Sequence, residues 1–198
     1  MSPQRWKDGK SNAMTAHFLH LVFKARSVLV ALPLLLALFI IRREHQNDLV
    51  IAIGGGILFL AGLILRIWSQ QHIHYRLRVE RILTTTGPYA LVRNPIYIGN
   101  TLLCLGLTVG SGVLWVAPIT LAICCLVYGT VVRYEEHCLI IKFSEPYVEY
   151  CRQVPRWFPR WNGLSKLRWS GHYLGASLLA EVYNLLFILP LVLKRILS

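Results

Sequence analysis

The sequence predicts an all-α, polytopic helical membrane protein with about five transmembrane helices. Three observations predict it. The 198 residues are 55% hydrophobic and 15% charged, with a mean hydropathy of +0.51, whereas a soluble domain is about 45–50% apolar and about 25% charged. The apolar residues gather into long blocks. The Lys and Arg residues lie between those blocks, chiefly in alternate gaps.

Residues 1–17 are polar and basic. Ser27–Ile41 is the first apolar block, flanked by Lys24 and Arg26 before it and by Arg42 and Arg43 after it. Extended back to Phe18, it reaches the length of about 20 residues that spans a hydrocarbon layer of about 30 Å. A secretory signal would end in a small-residue cleavage site; none follows Ile41, and further apolar blocks do. Leu49–Trp68 is the second block. Its Gly55 and Gly62 share one helical face with Phe59 between them, a face suited to close helix packing.

Residues 69–95 are polar, aromatic and basic. Ile96–Val109 and Val113–Val132 follow, joined by Gly110-Ser111-Gly112 as a tight hairpin. The first arm is short for a full span, and its Gly106 and Gly110 make a second small-residue face. Residues 133–172 are again polar and basic. Tyr173–Leu193 is the fifth block, and its Ser177, Glu181 and Asn184 form a polar stripe. A charge at that depth costs at least about 2.5 kcal/mol, so Glu181 faces the bundle or water. Two readings stand for it: a substrate contact, or else an interhelical hydrogen bond or a shallow placement. The chain thus divides into 1–68 (tail and two spans), 69–163 (the region with the chemistry) and 164–198 (linker and last span).

Charge sets the expected topology. Segments 1–26, 69–93 and 133–172 carry sixteen Lys and Arg, against four in the alternate segments. The excess marks the cytosolic side, so both polar segments face the cytosol, in a plasma membrane rather than an endoplasmic reticulum. The chain is basic overall, at 21 Lys+Arg against 9 Asp+Glu and net +12, but the basic residues form no single patch for nucleic acid. Five cysteines, three of them inside apolar blocks, make no disulfide framework. His72, His74, His137 and Cys138 match no trusted zinc spacing, so no metal is expected.

The first polar segment ends in Gly87–Gly99, GPYALVRNPIYIG. Gly87-Pro88 signals a turn, and Pro95 suits the first position of the helix that follows. Arg93 and Asn94 therefore precede a helix N-terminus, where backbone N–H groups and the dipole favour an anion. Arg93 either adds a carboxylate-binding fork or snorkels to headgroups. The second segment, Val132–Pro159, is VRYEEHCLIIKFSEPYVEYCRQVPRWFP. Glu135 and Glu136 come directly after an apolar helix, where two acids oppose the dipole; they are either solvated or hold a ligand hydroxyl or amine. Phe143, Tyr147 and Tyr150 follow at helical spacing, as an interface belt or the wall of a pocket for a ring or cation.

Together the run GPY-x3-R-[HN]-P-x-Y-x-G, the apolar hairpin, and EE-x6-F-x3-Y-x2-Y-x3-VP resemble the isoprenylcysteine carboxyl methyltransferases and, more loosely, the phospholipid N-methyltransferases. The resemblance covers residues 74–160. It implies a membrane enzyme that binds S-adenosylmethionine in a cytosolic-side pocket built from the C-terminal half. It implies cofactor contacts from Tyr89, from Asn94, Pro95, Ile96 and Tyr97, from Glu135, and from His74, Arg81, Leu83 and Thr84. Arg93, Arg133 and Glu136 are the candidate catalytic residues. Asn94 stands where the family usually has His and cannot titrate. Ser144 stands where it usually has Gly. Arg133 lies two residues from the position of the family's substrate-orienting arginine.

An in-line methyl transfer needs mainly positioning. A carboxylate acceptor is ionised at pH 7 and asks for a cation, whereas an amine asks for a proton acceptor. The arginine-rich segments favour carboxylate O-methylation of a lipid-like or lipidated acceptor drawn from the surrounding membrane lipids. Phospholipid or amine N-methylation, an NADPH-dependent reductase resembling the sterol reductases, and a non-enzymatic membrane subunit are the alternatives.

Overall fold

The computed structural model describes residues 13–39, 48–73, 82–160, 167 and 174–186. These residues form six α-helices and one 3₁₀ turn, with no strand among them. The helices are α1 (Ala13–Phe39), α2 (Asp48–Ile73), α3 (Pro95–Gly110), α4 (Val116–Phe143), α5 (Glu145–Gln153) and α6 (Leu174–Leu186); the 3₁₀ turn is Gly87–Ala90. Three helices are long and apolar enough to cross a membrane: His17–Ala37 within α1, Leu49–Ile73 within α2, and α4. α3 is apolar but shorter, at 16 residues. α6 is described over 13 residues, and the remainder of the expected fifth span lies outside the described residues. Their lipid-type surface is plain in the exposed Val28, Ile57, Ile64 and Leu126.

The closest packing is α2 on α3, and glycine makes it possible. A Cβ on Gly55 would stand 2.5 Å from the backbone N of Gly110, and one on Gly106 would stand 2.5 Å from that of Phe59. A Cβ on Gly62 would fall 2.7 Å from the Gly99 carbonyl oxygen and 2.7 Å from the Leu103 backbone N. The two small-residue faces expected from sequence are thus the two halves of one seam. α4 lies against α1 and α3 through Val30, Tyr97, Cys124, Val127, Tyr128, Val131 and Val132. At the opposite end Ala37 of α1 meets Val113 and Val116 of the hairpin.

Several boundaries differ from those expected. α1 begins at Ala13, inside the stretch read as a polar tail, and α2 continues through the polar Ser69-Gln70-Gln71-His72 to Ile73. α4 does not end near Val132 but runs to Phe143. Glu135 and Glu136 therefore sit within the helix, two turns before its end, and the dipole objection does not apply to them. Backbone propensity favours this continuation, since Glu, Leu and Lys are good helix formers. The break comes at Ser144, whose φ of 53° is the one positive value among the described non-glycine residues. L-residues rarely adopt such a conformation, which accounts for the glycine usual at this position in the resembling family. The break also splits the expected aromatic stripe. Phe143 closes α4, while Tyr147 and Tyr150 lie on α5 and are buried with Val154. They form a small core and not an interface belt.

The seam gives a direct test. Gly106→Leu should destabilise the protein by about 3 kcal/mol or more, because the displaced atoms are backbone and cannot repack. Gly54→Ala, with nothing within 4 Å of its Cβ, should leave the melting temperature in detergent unchanged.

Candidate active site

The candidate site lies at the end of the bundle where α2 finishes, α3 starts and α4 passes into α5. Residues 82–94 cross this end. Gly87, at φ 63°, begins the 3₁₀ turn, and a Cβ there would fall 2.3 Å from the His72 Nε2. Only glycine lets the turn seat on the last turn of α2. The turn closes with the Leu91 and Val92 N–H groups donating to the Pro88 carbonyl at 3.2 Å. Asn94 then caps α3, its carbonyl accepting from the N–H groups of Tyr97 and Ile98, with Pro95 at the first helical position as expected.

Both polar segments singled out in the sequence meet here. The Arg93 N–H donates to the Pro155 carbonyl at 2.9 Å, and the Arg160 N–H donates to the Leu91 carbonyl at 2.9 Å. The Asn94 Nδ2 donates to the Arg156 carbonyl at 3.3 Å. The Tyr150 hydroxyl donates to the Tyr89 carbonyl at 2.8 Å. Backbone groups that would be orphaned in a buried loop are thus satisfied by the second segment.

At the centre is an ion cluster. The buried Glu136 carboxylate takes the Nε of Arg156 at 3.1 Å and a second nitrogen of the same guanidinium, and it pairs with Arg93 at 3.2 Å. Two guanidiniums share one carboxylate, so the cluster carries one positive charge in excess. Arg93 neither snorkels nor holds out a free fork, because its nearest carboxylate belongs to its own chain. Beside the cluster, the Tyr97 hydroxyl donates to Glu135 at 2.6 Å, and the Tyr97 ring lies 4.9 Å from that of Tyr128.

Several polar atoms here are buried without a protein partner: Thr84 Oγ1, the Tyr89 hydroxyl, Arg93 Nε, and both ends of the Gln71 amide. Unpaired buried groups cost about 1–3 kcal/mol each and call for a ligand or ordered water. Burial, reinforced by Tyr150, Glu135 and Tyr97, holds the Tyr89 phenol well above its usual range. It is a neutral donor at any physiological pH. Burial likewise raises Tyr147, Tyr150 and the Cys151 thiol. The hydrogen bond to Glu136 raises Arg156, so its charge is permanent.

Of the candidate residues, Arg93, Glu136, Glu135, Tyr89, Asn94, Pro95 and Tyr97 converge on this end. Thr84 is buried in the crossing segment, Leu83 packs on the Tyr147–Tyr150 core, and Ile96 is half-buried. Arg133 is exposed on α4 and joins no ion pair with them. His74 and Arg81 lie outside the described residues. Among the described residues no three His, Cys, Asp or Glu side chains group as a metal site. Sequence reading missed Arg156, which follows the last position of the motif and belongs to no pattern of its own. It also missed Arg66, inside an apolar block. Glu181 takes the interhelical role: its Oε1 accepts from Arg66 Nε at 3.0 Å and from Gln70 Nε2 at 2.7 Å. Ser177, one turn earlier on the stripe, is buried, while the side chain of Asn184 lies outside the described residues.

Comparison with known proteins adds a similarity over part of the chain to this geometry. Residues 50–145 match the phospholipid methyltransferase family. The match takes in the glycine seam, the crossing segment, the hairpin and both glutamates, and ends before Arg156. The chain is 36% identical over 109 residues to the nickel-cobalt-cadmium resistance protein NccN of Alcaligenes xylosoxydans xylosoxydans, covering 55% of this chain and 48% of that protein. It is 33% identical over 137 residues to the cobalt-zinc-cadmium resistance protein CzcN of Cupriavidus metallidurans, covering 61% of each. The chain thus spans about half to three-fifths of the length of these relatives, and both names describe resistance without naming a reaction. No solved structure matches. Residues 50–145 are thus similar to a family of phospholipid methyltransferases, and three of the described helices are long and apolar enough to cross a membrane.

Removing the shared carboxylate tests the cluster. Glu136→Gln leaves two facing guanidiniums, and the loss for a broken buried pair is about 3–5 kcal/mol. The partial exposure of Arg156 places the expected loss near the lower end. Denaturation in detergent should show it, whereas Tyr150→Phe, which removes one neutral hydrogen bond, should cost about 1 kcal/mol.

Proposed function

We propose that the protein transfers the methyl group of S-adenosylmethionine to a lipid-like acceptor, most directly to a carboxylate oxygen, in the manner of the isoprenylcysteine carboxyl methyltransferases it resembles. The observation that carries the reading is the set of buried, unpartnered polar atoms at this end of the bundle, of which the Tyr89 hydroxyl lies near Glu135. Thr84 Oγ1 and the Tyr89 hydroxyl offer hydrogen bonds, and Glu135 offers a carboxylate to a ligand hydroxyl or amine. This donor and acceptor set fits a nucleoside–amino acid cofactor. When bound, that cofactor supplies a sulfonium-activated methyl group. The chain's own work is to hold and orient. Tyr89, Thr84, Glu135 and the first turn of α3 bind; the Tyr97–Glu135 bond fixes the acid.

The acceptor reading rests on charge. A carboxylate nucleophile is already ionised at neutral pH and requires an orienting cation. The Arg93–Glu136–Arg156 cluster has one in excess, with Arg93 Nε unpaired. Amine N-methylation is the second reading. It is supported by the similarity to phospholipid methyltransferases and by the partly buried Glu135, a carboxylate that could take the proton an ammonium must lose. The excess of Lys and Arg supports a cytosolic orientation of this end.

Calorimetry on the detergent-purified protein tests the cofactor. Micromolar-range binding of S-adenosylmethionine is expected, weakened about 10–100-fold in Glu135→Ala, as suits a hydrogen bond to a charged group. Binding of NADPH instead would favour a reductase, and binding of neither a non-enzymatic subunit. Orientation is tested with cysteines. Cys125 and Cys138 are both exposed on α4, about 20 Å apart along its axis at about 1.5 Å per residue. In sealed vesicles, an impermeant maleimide should label Cys138 from the cytosolic face alone and leave the lipid-facing Cys125 unmodified.

A further inference from the structure

Within the bundle, away from the ion cluster, lies a cavity of about 190 Å³ lined by α1, α2, α3, α4 and α6. Its lining is ordered along the helix axes. Arg66, Asn100, Tyr128 and Glu181 wall the end nearer the ion cluster. Leu34, Phe59 and Leu107 wall the far end. The polar members are joined through Arg66, which binds Glu181 and Asn100, with Tyr128 beside Asn100. The side chains of Arg66 and Glu181 are 14% and 2% exposed.

This polarity gradient is that of an amphiphile lying with its head toward the ion cluster and its tail toward the bilayer centre. A cavity of about 150 Å³ holds benzene, and drug-sized ligands take about 300–1,000 Å³. The space therefore suits a compact head and the first carbons of one chain. Charge narrows the head further. Among the described residues the wall holds one guanidinium and one carboxylate, whose charges balance. A ligand carboxylate would compete with Glu181 for Arg66 and leave an uncompensated anion; an ammonium would compete with Arg66 and leave a cation. In a low-dielectric interior either is expensive. An uncharged group accepts from Arg66 or Asn100, or donates to Glu181, without unbalancing the pair.

We propose that this cavity binds the uncharged, hydrogen-bonding head or linker (hydroxyl, amide or ester) of a single-chain amphiphile, and that the Arg66–Glu181 pair selects it by charge. The Tyr97 and Tyr128 rings separate it from Glu135. As a binding site it stands independently of methyl transfer; only its use by the acceptor rests on that reading.

Photolabelling of the full-length protein in nanodiscs tests it, with three diazirine probes sharing one alkyl chain and ending in an alcohol, a carboxylic acid or an amine. No methyl donor is present, so the outcome is separate from the calorimetry above. In the unmodified protein the alcohol should label peptides bearing Leu34, Phe59 or Leu107 at least tenfold more than the other two. Glu181→Gln, which leaves Arg66 uncompensated, should turn the preference to the acid. Arg66→Gln should turn it to the amine, and the double variant should restore the alcohol. Equal labelling of the unmodified protein by all three probes, or labelling confined to the outer helix faces, overturns the proposal whatever the variants do. An alcohol preference that persists in a folded Glu181→Gln protein overturns the role of the pair.

Discussion

The site depends on one carboxylate held by two arginines. Glu136 comes from the C-terminal third of a long apolar helix, Arg93 from the segment that caps α3, and Arg156 from the segment after α5. None of these pieces is held by local structure alone. Residues 82–94 contain no α-helix, and residues 154–160 contain no regular element at all. A buried ion pair is a weak source of net stability but a strong source of specificity, since any other arrangement strands a charge. Here it fixes which loop meets which helix. The backbone bonds between Arg93 and Pro155 and between Leu91 and Arg160 then complete a docking that the charges select.

Much of the fold was legible because membrane helices obey few rules. Apolar blocks mark spans, and α2, α3 and the start of α4 fell close to where the blocks put them. The glycine faces on α2 and α3 were legible as faces, and the structure adds that they meet. What failed was the far end of α4. Hydropathy ends the helix where charge begins, yet a helix has no reason to stop at a glutamate whose charge is matched elsewhere. The match lies twenty and forty-three residues away in sequence, at Arg156 and Arg93, beyond any local pattern.

The same limit explains the site. Arg93, Asn94, Tyr97 and the glutamate pair stood out because they occupy a motif. Arg156 belongs to no motif and enters only through the partner it neutralises. Arg66 was hidden for the opposite reason: it sits inside a block that reads as lipid-facing, and its partner Glu181 is more than a hundred residues further on. Ser144 was the one departure whose meaning was already half visible. A position usually glycine in the resembling family turns out to carry a positive φ, so the local geometry persists although the residue that suits it is gone.

The glycine seam has a consequence for motion. Two helices whose backbones touch at Gly55, Gly62, Gly99 and Gly106 cannot slide or separate by small steps, because the seam has no side chains to repack as it shifts. α2 and α3 therefore behave as a single rigid strut. Any breathing that admits a molecule to the interior must be carried by the elements joined through side chains alone, α1 against α4 and α6 against α2. Of these, α6 meets α2 through the buried Arg66–Glu181 contact, a polar fastening that can be undone and remade without disturbing the strut.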